Sequence, residues 1–308
     1  CGEVWLDDLG ASGDSVADTV TVPHIKPTAR LSGANQFLHL GHTRSTATHA
    51  SHKGSFGDVA VIGGETHTDT SMAGAALLAA QAALHAGAGR VMVALLGSQT
   101  GHGTTVDVNQ PELMFRPLEA LDFSREVVVC GCGGGKAVAA VLDRVLSSAS
   151  SAVLDADALN AIASDSGLAK LLADRESRGF STVITPHPLE AARLLGCSTA
   201  DIQQDRLSAA GRLAQRFHCT VVLKGSGSVV ATPGELPVIN PTGNALLATA
   251  GTGDVLAGMI GAGLARGLTA ATAAERAIFV HGDIADRWTL QWPEKSLTAS
   301  GLARAAHP

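Results

Sequence analysis

Short apolar runs, each closed by glycine or a small polar residue and followed by a longer alanine- and leucine-rich segment, recur along most of the chain. A β-rich run over 58–62 closes on Gly63-Gly64; an alanine-rich helix over 73–86 and a strand over 90–95 follow. The same order returns as 127–130 passes through Gly131 to Gly135 into a helix over 136–146, 152–154 leads into 156–163, and 182–185 leads into 188–195. A helix over 202–217 precedes strands at 220–223, 229–232 and 237–240, and helices over 255–266 and 270–288 complete the pattern. Strands alternating with helices predict an α/β fold with a central, mostly parallel sheet and helices on both faces. Burial on both faces explains why the strands read as continuous apolar runs instead of alternating ones. The paired short strands near 220–240 predict a small hairpin at one edge. Residues 1–50 lack a long periodic element and read as one short strand over 2–10 followed by linker, which leaves 51–308 as the folded domain.

Composition narrows the function. The 308 residues are 45% hydrophobic and 16% charged, enough for one large α/β domain. Aromatics are 3% with no Tyr and the formal charge is −6, so a nucleic-acid surface built on stacking and basic patches is excluded. No apolar run approaches the roughly 20 residues of a membrane span. Five cysteines, an odd number, fit a reducing cytoplasm, and Cys130 and Cys132 read as buried thiols. His39, His42, His49 and His52 imitate metal-ligand spacing, but their irregular Ser/Thr-rich surroundings argue against zinc. There is no signal peptide, and the start at Cys1 reads as a fragment or a processed product.

The distinctive polar residues follow strands: Gly63-Gly64-Glu65, Gly131 to Gly135, Asp155-Ala156-Asp157, Thr185-Pro186-His187 and Lys224-Gly225. In open parallel sheets ligands lie beyond the carboxyl ends of the strands, so these loops define one site. Gly251-Thr252-Gly253-Asp254 enters the helix over 255–266, where converging amides and the helix dipole suit an anion. Asp254 beside such amides handles a proton or a metal, or else caps the helix. Gly131-Cys132-Gly133-Gly134-Gly135-Lys136 fails both the P-loop and the dinucleotide spacing, leaving a tight turn or backbone contact with a ligand. His187 and Glu190 stand three apart at a helix start, where a Glu is also ordinary dipole chemistry. Lys224-Gly225-Ser226-Gly227-Ser228 suits phosphate or adenosine contacts, or is a plain hairpin turn. Asp155 and Asp157 can organise water around Mg²⁺, and Asp157 is equally a helix cap.

The order Asp-Ala-Asp, Thr-Pro-x-x-x-Glu, Lys-Gly and Gly-x-Gly-Asp resembles the ribokinase-like superfamily. Within it, His52-Lys53-Gly54-x-x-Gly57, Pro111-Glu112-Leu113-Met114, Leu154 to Asn160, Thr185-Pro186-His187-Pro188 and Thr242-Gly243-Asn244 through Gly258 resemble the ADP/ATP-dependent NAD(P)H-hydrate dehydratases, over roughly residues 50–290. The opening Cys1-Gly2-Glu3-Val4-Trp5-Leu6-Asp7-Asp8-Leu9-Gly10 resembles the last strand of an NAD(P)H-hydrate epimerase domain fused upstream in many bacteria. The resemblance implies phosphorylation of the ring hydroxyl of (6S)-NAD(P)H hydrate by ADP or ATP, followed by elimination of phosphate. It assigns Asp254 as base, Gly251, Thr252 and Gly253 as anion hole, and Ala75, Gly133, Gly135 and His187 as substrate contacts. Lys224, Gly225, Ser226, Gly227, Ser228 and Gly253 would contact the nucleotide, and Glu190 with Asp157 would hold Mg²⁺ through water. The fusion remnant leans towards ADP, and the resemblance further implies a cytoplasmic homo-oligomer as large as a tetramer. A kinase of the same fold acting on a vitamin-precursor alcohol, or a non-catalytic nucleotide-binding module, are the alternatives. Cys132 replaces the family's Pro, Leu189 its Gly, and Ala245-Leu246 its Pro-Gly; none of these removes a proposed catalytic side chain.

Overall fold

The computed structural model describes residues 27–33, 53–97 and 106–308. Its strands are β1 (Arg30–Leu31), β2 (Asp58–Thr66), β3 (Arg90–Gly97), β4 (Met114–Phe115), β5 (Val127–Cys130), β6 (Ser151–Leu154), β7 (Ser181–Ile184), β8 (Thr220–Leu223), β9 (Val229–Ala231) and β10 (Val238–Ile239). Its helices are α1 (Ala73–His85), α2 (Ala139–Ser148), α3 (Asp157–Ser164), α4 (Ser166–Ala173), α5 (Pro188–Leu195), α6 (Thr199–Gln204), α7 (Arg206–Phe217), α8 (Thr252–Ala265), α9 (Ala270–Gln291) and α10 (Ala299–Ala305).

The described strands form one sheet in the order β1-β10-β9-β8-β7-β6-β5-β2-β3-β4. From β4 to β8 every pairing is parallel, and β8, β9 and β10 pair antiparallel, as the expected hairpin requires. Outside that hairpin, β1 pairs in parallel with β10; it lies within the stretch read as linker. The expected strand over 2–10 and the histidines at 39, 42, 49 and 52 fall outside the described residues.

The uniform apolar runs conceal an alternation that only the fold reveals. Val59, Val61, Val127, Val129 and Val153 face α1, α8, α9 and α10, whereas Ala60, Ile62, Val128, Cys130 and Leu154 face the layer from α2 to α7. The α8 layer lies very close to its neighbours. A Cβ on Gly258 would meet the Ala79 carbonyl oxygen at 2.0 Å, and one on Gly261 would meet Val129 Cγ2 at 2.5 Å. Glycine at both positions lets α8 rest on α1 and on the sheet.

Several boundaries differ from the sequence reading. β2 runs on through Gly63-Gly64 to Thr66 because the loop after β5 supplies partners: Gly64 N–H donates to Cys132 O at 2.9 Å and Glu65 N–H to Gly133 O at 2.7 Å. α2 starts at Ala139, not at 136, because Lys136 and Ala137 direct their N–H groups to the Glu65 carboxylate at 3.2 and 2.9 Å. The helix over 202–217 is two helices, broken at Asp205, whose φ of −144° leaves the helical region while its side chain caps Ser208 N–H at 2.9 Å. α4 and α10, absent from the sequence reading, are short helices started by the side chains of Asp165 and Thr298.

Arg175, 1% exposed, joins the end of α2 to the start of β7. It donates to the carbonyls of Val145, Leu146, Ala149 and Ser181 and to Thr182 Oγ1, and burial pulls its guanidinium down to about 10. Arg175→Met removes the guanidinium donors from these oxygens, of which Val145 O keeps Ala149 N–H, so unfolding free energy should fall by about 3 kcal/mol in urea titrations. An unchanged transition midpoint would remove this guanidinium from the account of how α2 and β7 are held together.

Candidate active site

The loops after β2, β5, β6, β7 and β8 meet the first turn of α8 at the carboxyl edge of the sheet. The loop after β5 is drawn in tightly by its glycines. Gly131 has φ of +116°, and a Cβ there would lie 2.0 Å from Asp155 O; at Gly135, φ +54°, it would lie 1.8 Å from Glu65 Oε2. A Cβ on Gly133 would lie 2.8 Å from Ala75 Cβ, so the loop carrying Gly133 and Gly135 packs against the start of α1 at Ala75. Asp157 Oδ2 accepts from Gly135 N–H at 2.8 Å, tying the loop to α3.

α8 begins at Thr252, three residues before the sequence reading placed it, with Gly251 as N-cap at φ +91°. Asp254 therefore sits within the first turn and makes no capping bond, which removes the capping alternative for it. Thr252 Oγ1 donates to Leu247 O at 2.8 Å and Thr249 O at 2.9 Å, and His281 Nε2 donates to Thr252 O at 2.9 Å. Of the expected anion hole, Thr252 N–H turns back to Thr249 O at 3.4 Å, whereas no backbone acceptor among the described residues takes the N–H of Gly253 or Asp254. Unsatisfied amides of this kind at a positive helix end favour an anion. The Asp254 carboxyl is pushed up to about 7, first by burial and then by Asp155, against the pull of the Cys132 thiol and Lys224.

Lys224 Nζ donates to Asp155 Oδ1 at 2.6 Å, and Thr185 Oγ1 donates to the same oxygen at 2.8 Å. Burial opposes the charge on Lys224, but Asp155 and Glu190 outweigh it and raise its pKa. The ammonium lies 3.4 Å from where a Gly253 Cβ would stand, directly under the start of α8. The Cys132, Asp155 and Asp254 ligand atoms lie within 4.8 Å of one another, yet Lys224 already supplies the cation at Asp155. Behind Lys224, Arg206 donates to Leu223 O at 3.2 Å, Lys224 O at 3.4 Å and Gly227 O at 3.3 Å, which shapes the loop carrying Gly225, Ser226, Gly227 and Ser228.

His187 and Glu190 form a capping box at the start of α5. His187 Nδ1 accepts from Leu189 N–H at 3.1 Å and Glu190 N–H at 3.2 Å, which places the imidazole proton on Nε2, 3.2 Å from Glu190 Oε1. Glu190 Oε2 accepts from His187 N–H at 2.8 Å. Burial lowers the His187 pKa and raises that of Glu190. Asp157 keeps Oδ1 without an intrachain donor among the described residues, whereas both Glu190 oxygens are engaged. Sequence reasoning missed Arg206, His281 and the contact between Cys132 and Asp254, each of which acts across distant segments with no local motif. Of the departures from the family pattern, Leu189 is 45% exposed beside His187, and Ala245-Leu246 forms a 3₁₀ turn that Asn244 starts by accepting from Leu246 N–H at 3.0 Å.

Residues 59–306 match the family model for NAD(P)H-hydrate dehydratase. The chain is 39% identical over 270 residues to the ADP-dependent (S)-NAD(P)H-hydrate dehydratase of Neisseria meningitidis, covering 85% of this chain and 88% of that one. It is 36% identical over 310 residues to the bifunctional NAD(P)H-hydrate repair enzyme of Coxiella burnetii, covering 98% of this chain but only 58% of that longer protein. The structure of ADP/ATP-dependent NAD(P)H-hydrate dehydratase from Bacillus subtilis, co-crystallised with ATP/Mg²⁺, superposes with a TM-score of 0.72 at 29% identity, covering 91% of this chain and 97% of that one.

The raised Asp254 pKa carries a stability consequence. The folded state holds a proton up to about pH 7 that the unfolded chain releases near 3.8, so stability falls as pH rises between these values. Asp254→Asn should therefore raise the unfolding temperature at pH 8, by the equivalent of up to about 4 kcal/mol, and leave it unchanged near pH 3. Equal melting of the two proteins at pH 8 would show that the carboxyl is not held near neutrality.

Proposed function

The chain belongs to the NAD(P)H-hydrate dehydratase family, and on that premise we propose that its site converts (6S)-NAD(P)H hydrate to NAD(P)H by phosphorylating the ring hydroxyl and eliminating phosphate. The observation that carries the mechanism is Asp254, pushed up to about 7 beside two amides with no backbone acceptor among the described residues and a partly buried ammonium. Hydroxide leaves poorly, so the hydroxyl must first be made a better leaving group. Asp254 takes the hydroxyl proton, and the oxygen attacks the terminal phosphoryl of the nucleotide. The bond to the nucleotide breaks, releasing AMP from ADP or ADP from ATP. The N–H groups at Gly253 and Asp254, with Lys224 beneath them, receive the charge that develops on the phosphoryl oxygens. Phosphate then departs with the electrons of the ring C–O bond, a proton is lost from the adjacent carbon, and the ring double bond reforms.

Ala75, Gly133 and Gly135, together with His187, receive the hydrate, and the loop from Lys224 through Ser228 receives the nucleotide. We assign ADP as the phosphoryl donor because the Neisseria relative is named ADP-dependent; the Bacillus structure was grown with ATP/Mg²⁺. Asp157, through its free oxygen, fits a hydrated Mg²⁺, with Glu190 adding charge but no open oxygen. When bound, the ion neutralises phosphate charge. The bifunctional Coxiella relative supports an upstream epimerase domain as partner of this chain. We also propose a cytoplasmic location and a homo-oligomer as large as a tetramer; among the described residues no helix is long and apolar enough to cross a membrane, and Leu290, 84% exposed, is available for association.

Mixing the protein with hydrated NADH, Mg²⁺ and ADP should raise absorbance in the reduced-nicotinamide band and release phosphate, and parallel reactions with ATP identify the donor. Asp254→Ala should lower turnover by about 10²–10⁴-fold while calorimetry still detects nucleotide binding. A mutant that keeps more than about a tenth of the wild-type rate contradicts a general base of this size.

A further inference from the structure

Cys132 takes no part in the steps above, yet it is clamped at their centre. Gly64 N–H donates to Cys132 O at 2.9 Å, and a Cβ on Gly63 would sit 2.2 Å from that oxygen. On either side, Gly131 and Gly133 turn with φ of +116° and +57°. The side chain is fully buried, and Sγ lies within 4.8 Å of a carboxylate oxygen on both Asp155 and Asp254. Asp155 is already taken by Lys224 and Thr185. Among the described residues no other side-chain donor serves Asp254, and the Cys132 thiol stands within 4.8 Å of its carboxylate. Burial, followed by the charges of Asp254 and Asp155, raises the thiol well above its ordinary range, so it keeps its proton and presents an S–H to that carboxylate.

We propose that Cys132 is a positioning residue for Asp254, its S–H fixing the rotation of the carboxylate and favouring the form that accepts a proton. The proposal rests on the reading of Asp254 as the base. The groups facing Asp254 come from several elements: Asp155 after β6, Asp157 at the start of α3, Lys224 after β8 and the thiol after β5. His281 on α9, held neutral by burial, bonds the Thr252 carbonyl instead. Burial and the two aspartates favour protonated Asp254, and Lys224 and the thiol oppose them.

Two measurements test the proposal. In the pH profile of kcat/KM, Cys132→Ala should move the acid limb upward by about half a unit to one unit, with a several-fold loss at neutral pH. Cys132→Ser, which keeps a donor, should move the limb back towards wild type. Independently of how these variants fold, the infrared S–H stretch of wild-type protein should shift as Asp254 titrates, and shift again in Asp254→Asn. The buried thiols of Cys130 and Cys219, whose surroundings do not include Asp254, supply bands that stay in place. An acid limb unmoved in folded Cys132→Ala, or an S–H band indifferent to Asp254, overturns the proposal. Those results leave the base reading standing if Asp254→Asn is inactive, whereas an active Asp254→Asn sinks the base reading itself.

Discussion

The ion pair between Lys224 and Asp155, 2.6 Å long and set beneath the first turn of α8, is the interaction on which the rest of the centre depends. Asp155 and Asp254 bring carboxylate oxygens within 4.8 Å of each other in a partly dry site, where like charges repel strongly. The ammonium compensates one of them and leaves the other to titrate. A buried pair carries a desolvation cost that geometry must offset. Here Thr185 adds a second donor to Asp155, and Arg206 fastens the carbonyls of Leu223, Lys224 and Gly227 so that the ammonium cannot drift. Two aspartates thereby stand in different electrostatic states: one is paired with a cation and the other is pushed up to about 7.

What could be read in the sequence follows the range of the physics. The strands and most long helices were legible because continuous apolar runs and glycine punctuation are local signals, and the rule that ligands gather at the carboxyl ends of parallel strands places Asp155, Thr185, Lys224 and Asp254 together. Helix starts were less legible wherever a distant side chain decides them. Glu65 holds the N–H groups of Lys136 and Ala137 from more than seventy residues away, and nothing near 136 signals a delayed start. Asp205 interrupts a segment whose apolar spacing reads as one helix, because capping and periodicity compete and the cap wins. α4 and α10 are too short for their periodicity to stand out.

Function was legible in the same unequal way. Asp254 announced itself through its glycines, but its raised pKa arises first from burial and then from Asp155, about a hundred positions away. The departures from the family pattern also separate by environment. Leu189 lies half in solvent beside His187, where a change of side chain alters the mouth of the site and not its interior. Cys132 lies wholly inside, its sulfur within 4.8 Å of an Asp254 carboxylate oxygen, so the same kind of departure reaches the interior of the site.

The contact of Gly258 with α1 has a mechanical meaning. Backbone rests on backbone there, with no side chain between to change rotamer, so the seat of α8 has little give. Asp254 is carried one turn away, about 6 Å along the axis. Like a short beam gripped next to its working end, the helix turns any tilt at the seat into only a small displacement at the carboxylate. The aim of the Asp254 carboxylate is therefore set by the tolerance of a backbone joint one turn away from it.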